Sequence, residues 1–201
     1  MFMEGITECF NYYDSWGKKV PAIPMWYFAD KLKKPELLFN ELRALEEGRY
    51  DTKLSEVRLL APIMGYVARI DLENVSAPTK NMWYGHGANP VAMIRTEWDG
   101  SDSDVYLAIK GGSAANNHSH MDAGSFVFES QGVRWASDLG NQKYAPLENA
   151  MKKLKKNLWD RSQHSGRWTV FRYNNYSHNT ITLNENLHNA KGVAKFEEVI
   201  Q

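Results

Sequence analysis

The stretch Asn117–Phe126 reads NHSHMDAGSF and sets His118, His120 and Asp122 at alternate positions. The chain has six histidines in all, so two of them around one serine ask for a chemical reason. In an extended segment alternate side chains share a face, and imidazole with carboxylate is a donor set suited to Zn²⁺. The spacing equally fits two polar strand residues that face solvent, and a third ligand decides between these readings. Asp138 closes the segment VRWASD, where an aspartate needs a partner because a buried unpaired carboxylate is very costly. His178 stands in YSHNTITLN near Arg172, Asn174, Asn175 and Asn179, and reads either as a ligand or as a hydrogen-bonded cap. Arg134, Arg167 and Arg172 are of the type that grips sulfate or carboxylate, or else lie on the surface.

The elements that must position these residues change character along the chain. Residues 1 to about 75 read as short helices: GITECFNYYDSWG, then MWYFADKLKK after Pro21 and Pro24, then PELLFNELRALEEG between Pro35 and Gly48, then SEVRLLAPIMGYVARI broken at Pro62. Residues 71–90 are dense in Pro, Gly and Asn and read as a connection. Strand patterns follow in VAMIRTEW, in DVYLAIKGG with Val105, Leu107 and Ile109 alternating, and in SFVFES, VRWASD, WTVFRY and NTITLN. A two-residue turn at Gln131-Gly132 pairs Asp138 with Ser125, the wrong parity for His120, so a bulge at Ala123-Gly124 is expected. Residues 147–160 read as a helical or loop excursion whose lysines form a solvated face. Helices first and strands afterwards predict segregated layers, an α+β fold.

Composition narrows the partners. Of 201 residues, 43% are hydrophobic and 24% charged, with 24 basic and 24 acidic side chains. There is no overall pull toward nucleic acid or anionic lipid, and an acidic ligand must be met by a local patch. The single Cys9 excludes an internal disulfide framework and leaves the compartment open. No apolar run has the length of a membrane span, and MFMEGITECF lacks the layout of a signal peptide. The aromatic share of 12% suits a sugar-binding cleft or simply a strand-rich core.

Two longer stretches carry a resemblance. KGGSAANNHSHMDAGSFVFESQGVRWASDLGNQKY and RWTVFRYNNYSHNTITLN together resemble the heparinase II/III family of polysaccharide lyases over residues 80 to 195. The resemblance implies an α+β protein in which residues 1–80 are the C-terminal helices of an α/α toroid. Residues 81–201 are then an incomplete antiparallel β-sandwich, the whole being a fragment of a larger two-domain protein. It implies His120, Asp138 and His178 as ligands of a divalent metal, zinc in the family, and His118 as the catalytic histidine facing the substrate cleft. Asn117, Arg134 and Arg172 are the candidate substrate contacts, while Asp122, Gly124 and Phe126 orient or pack the strand. Asn117 and Asn179 are candidates for fixing the imidazole tautomers, and His164 and His188 match no functional position.

The implied reaction is β-elimination on acidic polysaccharide of heparin or heparan type: the uronate carboxylate is neutralised, a base removes the C5 proton, and the C4–O bond breaks. The family's tyrosine base comes from the toroid upstream, and Tyr12, Tyr13 and Tyr84 read as core aromatics rather than as that base. For the full-length protein the family implies a periplasmic or secreted location. A noncatalytic, zinc-containing carbohydrate-binding or structural sandwich is the alternative. A cupin-like metalloenzyme ranks last, because the glutamate its pattern expects soon after the second histidine appears only at Glu129.

Overall fold

The computed structural model describes residues 5, 8–13, 21–48 and 57–200. Three helices come first: α1 (Ile23–Leu32), α2 (Phe39–Glu46) and α3 (Val57–Val67), with a 3-10 turn Pro35–Leu38 leading into α2. Pro24 and Pro35 sit in first-turn positions, where the missing N–H has no intrahelical partner to lose and the fixed φ is already helical. The expected break at Pro62 does not occur, for Pro62 lies inside α3. Its neighbour Ile63 is buried with Trp26, Ala29 and Leu38, and that packing offsets the roughly 3 kcal/mol a mid-helix proline costs. Helix α2 meets the sheet through Phe39, whose ring is perpendicular to that of Trp98 at 6.4 Å, and through Arg43, which donates to the Trp98 carbonyl at 2.7 Å.

The helix expected over GITECFNYYDSWG is not formed at residues 8–13, which run as bend, extended chain and turn; residues 6–7 and 14–17 lie outside the described ones. Phe10 is fully buried among Val91, Met93, Tyr106, Ala108 and Val127. The strip is held by the sheet, with Arg134 Nη2 donating to the Glu8 carbonyl at 2.6 Å and Asn11 Nδ2 to that of Asp138 at 3.0 Å.

The sheet is an antiparallel meander of β1 (Met82–Gly85), β2 (Val91–Arg95), β3 (Tyr106–Lys110), β4 (Phe126–Ser130) and β5 (Val133–Ala136), each strand paired with its chain neighbour. Strand β1 falls inside the segment read as a connection. In β3 the fully buried parity is Tyr106, Ala108 and Lys110, not that of Leu107 and Ile109, which stay half-exposed. The reason is tertiary: Phe10 and Trp98 cover the face on which Met93, Ala108 and Val127 stand. The β4–β5 hairpin turns at Gln131 and Gly132, both with positive φ (55° and 69°), as a two-residue hairpin requires. The bulge is present but lies opposite Phe128/Glu129, with Trp135 as the extra residue, rather than at Ala123-Gly124; β5 ends before Asp138.

WTVFRY and NTITLN form no strands. The first folds into 3-10 turns, Gly166–Thr169 and Phe171–Tyr173, and the second is irregular. Trp168, Val170 and Tyr173 bury not against a second sheet but in a separate core with Met121, Leu147, Met151 and Leu158, the last three from or just after helix α4 (Tyr144–Lys153) and the first from the NHSHMD loop. Among the described residues one sheet forms, so the α+β class stands while the second layer of a sandwich is not formed. No described helix is long and apolar enough to cross a membrane.

Candidate metal centre

The histidine stretch is a loop, not a strand. Lys110, the last residue of β3, donates its backbone N–H to Ser125 at 3.0 Å and accepts from Gly124 at 2.9 Å, which closes the neck of the loop 111–124. Gly124 has φ +78°, a conformation glycine adopts without strain. Inside the loop, Ser119 Oγ donates to the Ala114 carbonyl at 2.6 Å, Arg167 Nη2 donates to the Ser119 carbonyl at 2.9 Å, and Met121 N–H to that of Tyr173 at 2.9 Å. His118 itself takes φ +57°. The two histidines therefore do not share a face: His118 is exposed, whereas Ser119 and His120 are fully buried.

The His120 ring packs against Tyr173 at 4.5 Å and His178 at 5.3 Å, with Tyr13 at 6.4 Å. Ligand atoms of His120, Asp122 and His178 all lie within 4.8 Å of one another, and all three residues are buried. His178 reaches this place because the segment after it docks on the start of β4: Phe126 N–H donates to the Asn179 carbonyl at 3.2 Å, and Thr180 Oγ1 to that of Ala123 at 2.7 Å. Asp138 stands on the far side of the same ring, its Oδ2 2.7 Å from His178 Nδ1 and its Oδ1 accepting from Gly140 N–H at 2.7 Å. Burial pushes the Asp138 carboxyl up, but the bonds from His178 and Gly140 outweigh it and hold the group below its ordinary value.

Two buried atoms, His178 Nε2 and Asp122 Oδ2, have no hydrogen-bond partner among the described residues. Asn11 Oδ1, Trp26 Nε1 and Ser165 Oγ are also without one, so what sets these two apart is that they belong to one group of ligand-type side chains. Imidazole and carboxylate donors within 4.8 Å of one another, two of them with unpartnered atoms, fit a divalent cation.

Lys110 is the residue sequence reasoning missed. Its Nζ contacts Asp122 Oδ1 at 2.7 Å, both side chains being within 1% of complete burial, and lies 3.9 Å from the Tyr13 ring centroid. Burial lowers its pKa, and Asp122 opposes that shift. A lysine on the parity of Tyr106 and Ala108 was the available signal. Tyr13 also belongs here: its hydroxyl donates to Asn89 Oδ1 at 2.7 Å, and burial, then the Asp122 charge, raise its pKa far above the usual phenol range. It is a held phenol, poorly suited to act as a base. Tyr12 is raised by the same two causes, and Tyr84 packs on His86 and Phe196.

The expected substrate contacts separate. Asn117 is exposed and accepts from Arg161 at 2.7 Å. The Arg134 guanidinium is engaged by Glu129, Glu8 and the Cys9 carbonyl, so it pins the N-terminal strip to β5 instead of facing a ligand. Arg172 braces the Leu139 and Asn141 carbonyls. Asn179 binds the Phe126 and Ser137 carbonyls, so the tautomer of His178 is governed by Asp138. Of the remaining histidines, His164 is exposed and His188 Nε2 lies 2.8 Å from the Ile181 carbonyl.

A family model described as Heparinase II/III-like, C-terminal, matches residues 85–195, more than half of the chain and all of the loop, the cluster and α4. The chain belongs to the Heparinase II/III-like C-terminal family. No curated protein matches it. The matched range includes His118, His120, Asp138 and His178. The cupin-like alternative expected its histidine pair on a strand, whereas the pair sits in a loop and the described strands form an open meander.

Proposed function

We propose that this protein acts in the β-eliminative cleavage of uronate-containing acidic glycans, with a divalent metal organising the loop that carries His118. The observation that carries the reading is the exposed His118 two residues before a fully buried His120, in a chain of a polysaccharide-lyase family. His120 and His178 would hold the metal together with a carboxylate, either Asp138, as the family implies, or Asp122. When bound, the ion supplies fixed positive charge that joins the loop to the His178 segment. The remaining chemistry belongs to the exposed His118 and the half-buried Tyr144. His118 Nδ1 lies 3.4 Å from the Tyr144 hydroxyl, a pair that can hold and relay a proton at C5 or at the departing O4. Helices α1–α3 stand in this reading as the end of an α/α toroid, and the location is periplasmic or secreted.

In a second reading this chain binds glycan without cleaving it, with Tyr13 held on Asn89 as a structural phenol. Incubation with heparan-type and other uronate glycans separates the two. Cleavage yields the absorbance of a 4,5-unsaturated product, lost in His118→Ala; binding without that absorbance supports the noncatalytic module. Metal analysis is the companion test. His120→Ala and His178→Ala should lose the bound zinc, and Asp138→Ala against Asp122→Ala identifies the third ligand. Unchanged zinc content in His120→Ala would sink the metal assignment.

A further inference from the structure

We propose that α4 and the loop following it form a binding platform for an acidic glycan chain beside His118; the proposal rests on the glycan reading above and names where the polymer is held. The segment is not a loose excursion, since Leu147, Met151 and Leu158 are buried in the core with Trp168. What it leaves outside is cationic. From Lys143 to Arg161 there are six basic residues against two acidic ones, in a chain of zero net charge. Lys152, Lys153, Lys155 and Lys156 are all exposed, and none is ion-paired among the described residues.

The lysine turn has a defined shape. Lys155 N–H donates to the Lys152 carbonyl at 3.1 Å and Lys156 N–H to that of Met151 at 2.9 Å, the paired bonds of a helix ending whose left-handed residue is usually glycine. Here that residue is Lys155, with φ +52°. The stem of Lys156 lies against Gly166, where an added Cβ would meet it at 2.6 Å. The cations are thus presented from a rigid turn, which lowers the ordering cost of binding.

An aromatic surface completes the platform. Trp159 is 51% exposed, yet its Nε1 donates to Glu148 Oε1 at 3.0 Å, its backbone N–H to Asn157 Oδ1 at 2.9 Å, and its ring lies 4.8 Å from that of Tyr144. An indole fixed in place with half its surface in water is prepared to stack on the C–H face of a sugar. Tyr144 contacts His118, and Arg161 contacts Asn117, so the aromatic end abuts the exposed histidine. The lysine turn begins at the C-terminal end of α4, about 12 Å along the helix from Tyr144 to Lys152, and leads into Trp159 three residues after Lys156. A flexible polyanion crossing both ends meets ring stacking first and charge second.

The test uses the whole chain and a sulfated uronate octasaccharide, titrated calorimetrically at two salt concentrations. Trp159→Ala is expected to bind about tenfold more weakly at both, and Trp159→Phe to recover most of the loss. Lys152→Gln/Lys156→Gln is expected to lose affinity mainly at low salt, with a salt slope shallower by about two counterions. Wild-type binding in both variants would overturn the platform while leaving the lyase reading and its absorbance test intact. No binding by the wild type would overturn both. Polyuridylate binding as tightly, with the same dependence on Trp159, would overturn the assignment to glycan. Circular dichroism and melting of the variants, whose altered side chains are exposed, check that the fold is retained.

Discussion

Replacing Lys110 with methionine keeps the apolar stem and deletes the ammonium that faces Asp122. The Asp122 side chain is 1% exposed and Lys110 Nζ lies on its Oδ1 at 2.7 Å; its other oxygen has no hydrogen-bond partner among the described residues. Removing one member of such a pair leaves a buried charge uncompensated, at a cost of about 3–5 kcal/mol. Against a total stability of about 5–15 kcal/mol, that is a large fraction, and for a chain of this length it lowers Tm by roughly 6–20 °C. Urea titrations in the presence of a chelator should show the midpoint falling with an unchanged slope. Adding Asp122→Asn should recover much of the loss by removing the stranded charge, and so should Zn²⁺, a cation beside the same carboxylate. A cost below about 1 kcal/mol, the range of exposed pairs, or a double variant as unstable as the single one, would refute the reasoning.

Gly112→Ala should be costly for a steric reason: at φ +97° the new Cβ would lie 2.5 Å from Asn89 Oδ1 and 3.1 Å from the Tyr13 hydroxyl, breaking the bond that holds Tyr13. A loss of about 2–3 kcal/mol is expected in urea titrations, and a neutral substitution would contradict it. The Asp138 carboxyl lies below its ordinary 3.8 in the folded state, so the unfolded chain takes up its proton first as pH falls. Its stabilisation is then fully present above 3.8 and drains away as pH drops through the lowered folded value. The stability gap between wild type and Asp138→Asn should shrink over that acid window, and a gap independent of pH would count against it.

What was legible in the sequence depended on how far away each residue's partner lies. Helices α1 and α2 were readable because Pro24 and Pro35 mark first turns locally, and β2–β5 because alternation and the Gln131-Gly132 turn are local signals. Residues 8–13 misled because Phe10 is buried by strands far along the chain. WTVFRY misled because Trp168 and Tyr173 answer to α4, whose Leu147 and Met151 share their core. In the site, His118, His120, Asp138 and His178 came from the family resemblance, whose motif elements run from residue 117 to 181. The opposed exposure of the two loop histidines did not, since it depends on the φ +57° at His118 and on the ties from Ser119 and Arg167. Lys110 was hidden by the parity of β3, which only the covering Phe10 and Trp98 decide.

The meander of chain-adjacent strands has a consequence for the order of assembly. Each of the five described strands pairs with its chain neighbour, so the sheet closes through local connections, and low contact order favours fast formation. The cluster below His118 needs much longer closures: 40 residues separate Asp138 from His178, 76 separate Tyr13 from Asn89, and 127 separate Asn11 from Asp138. On a ribosome the hairpins can pair once residue 136 has emerged, while the cavity for a cation does not exist until His178 follows. Metal capture is therefore expected to seal a nearly finished fold instead of seeding it.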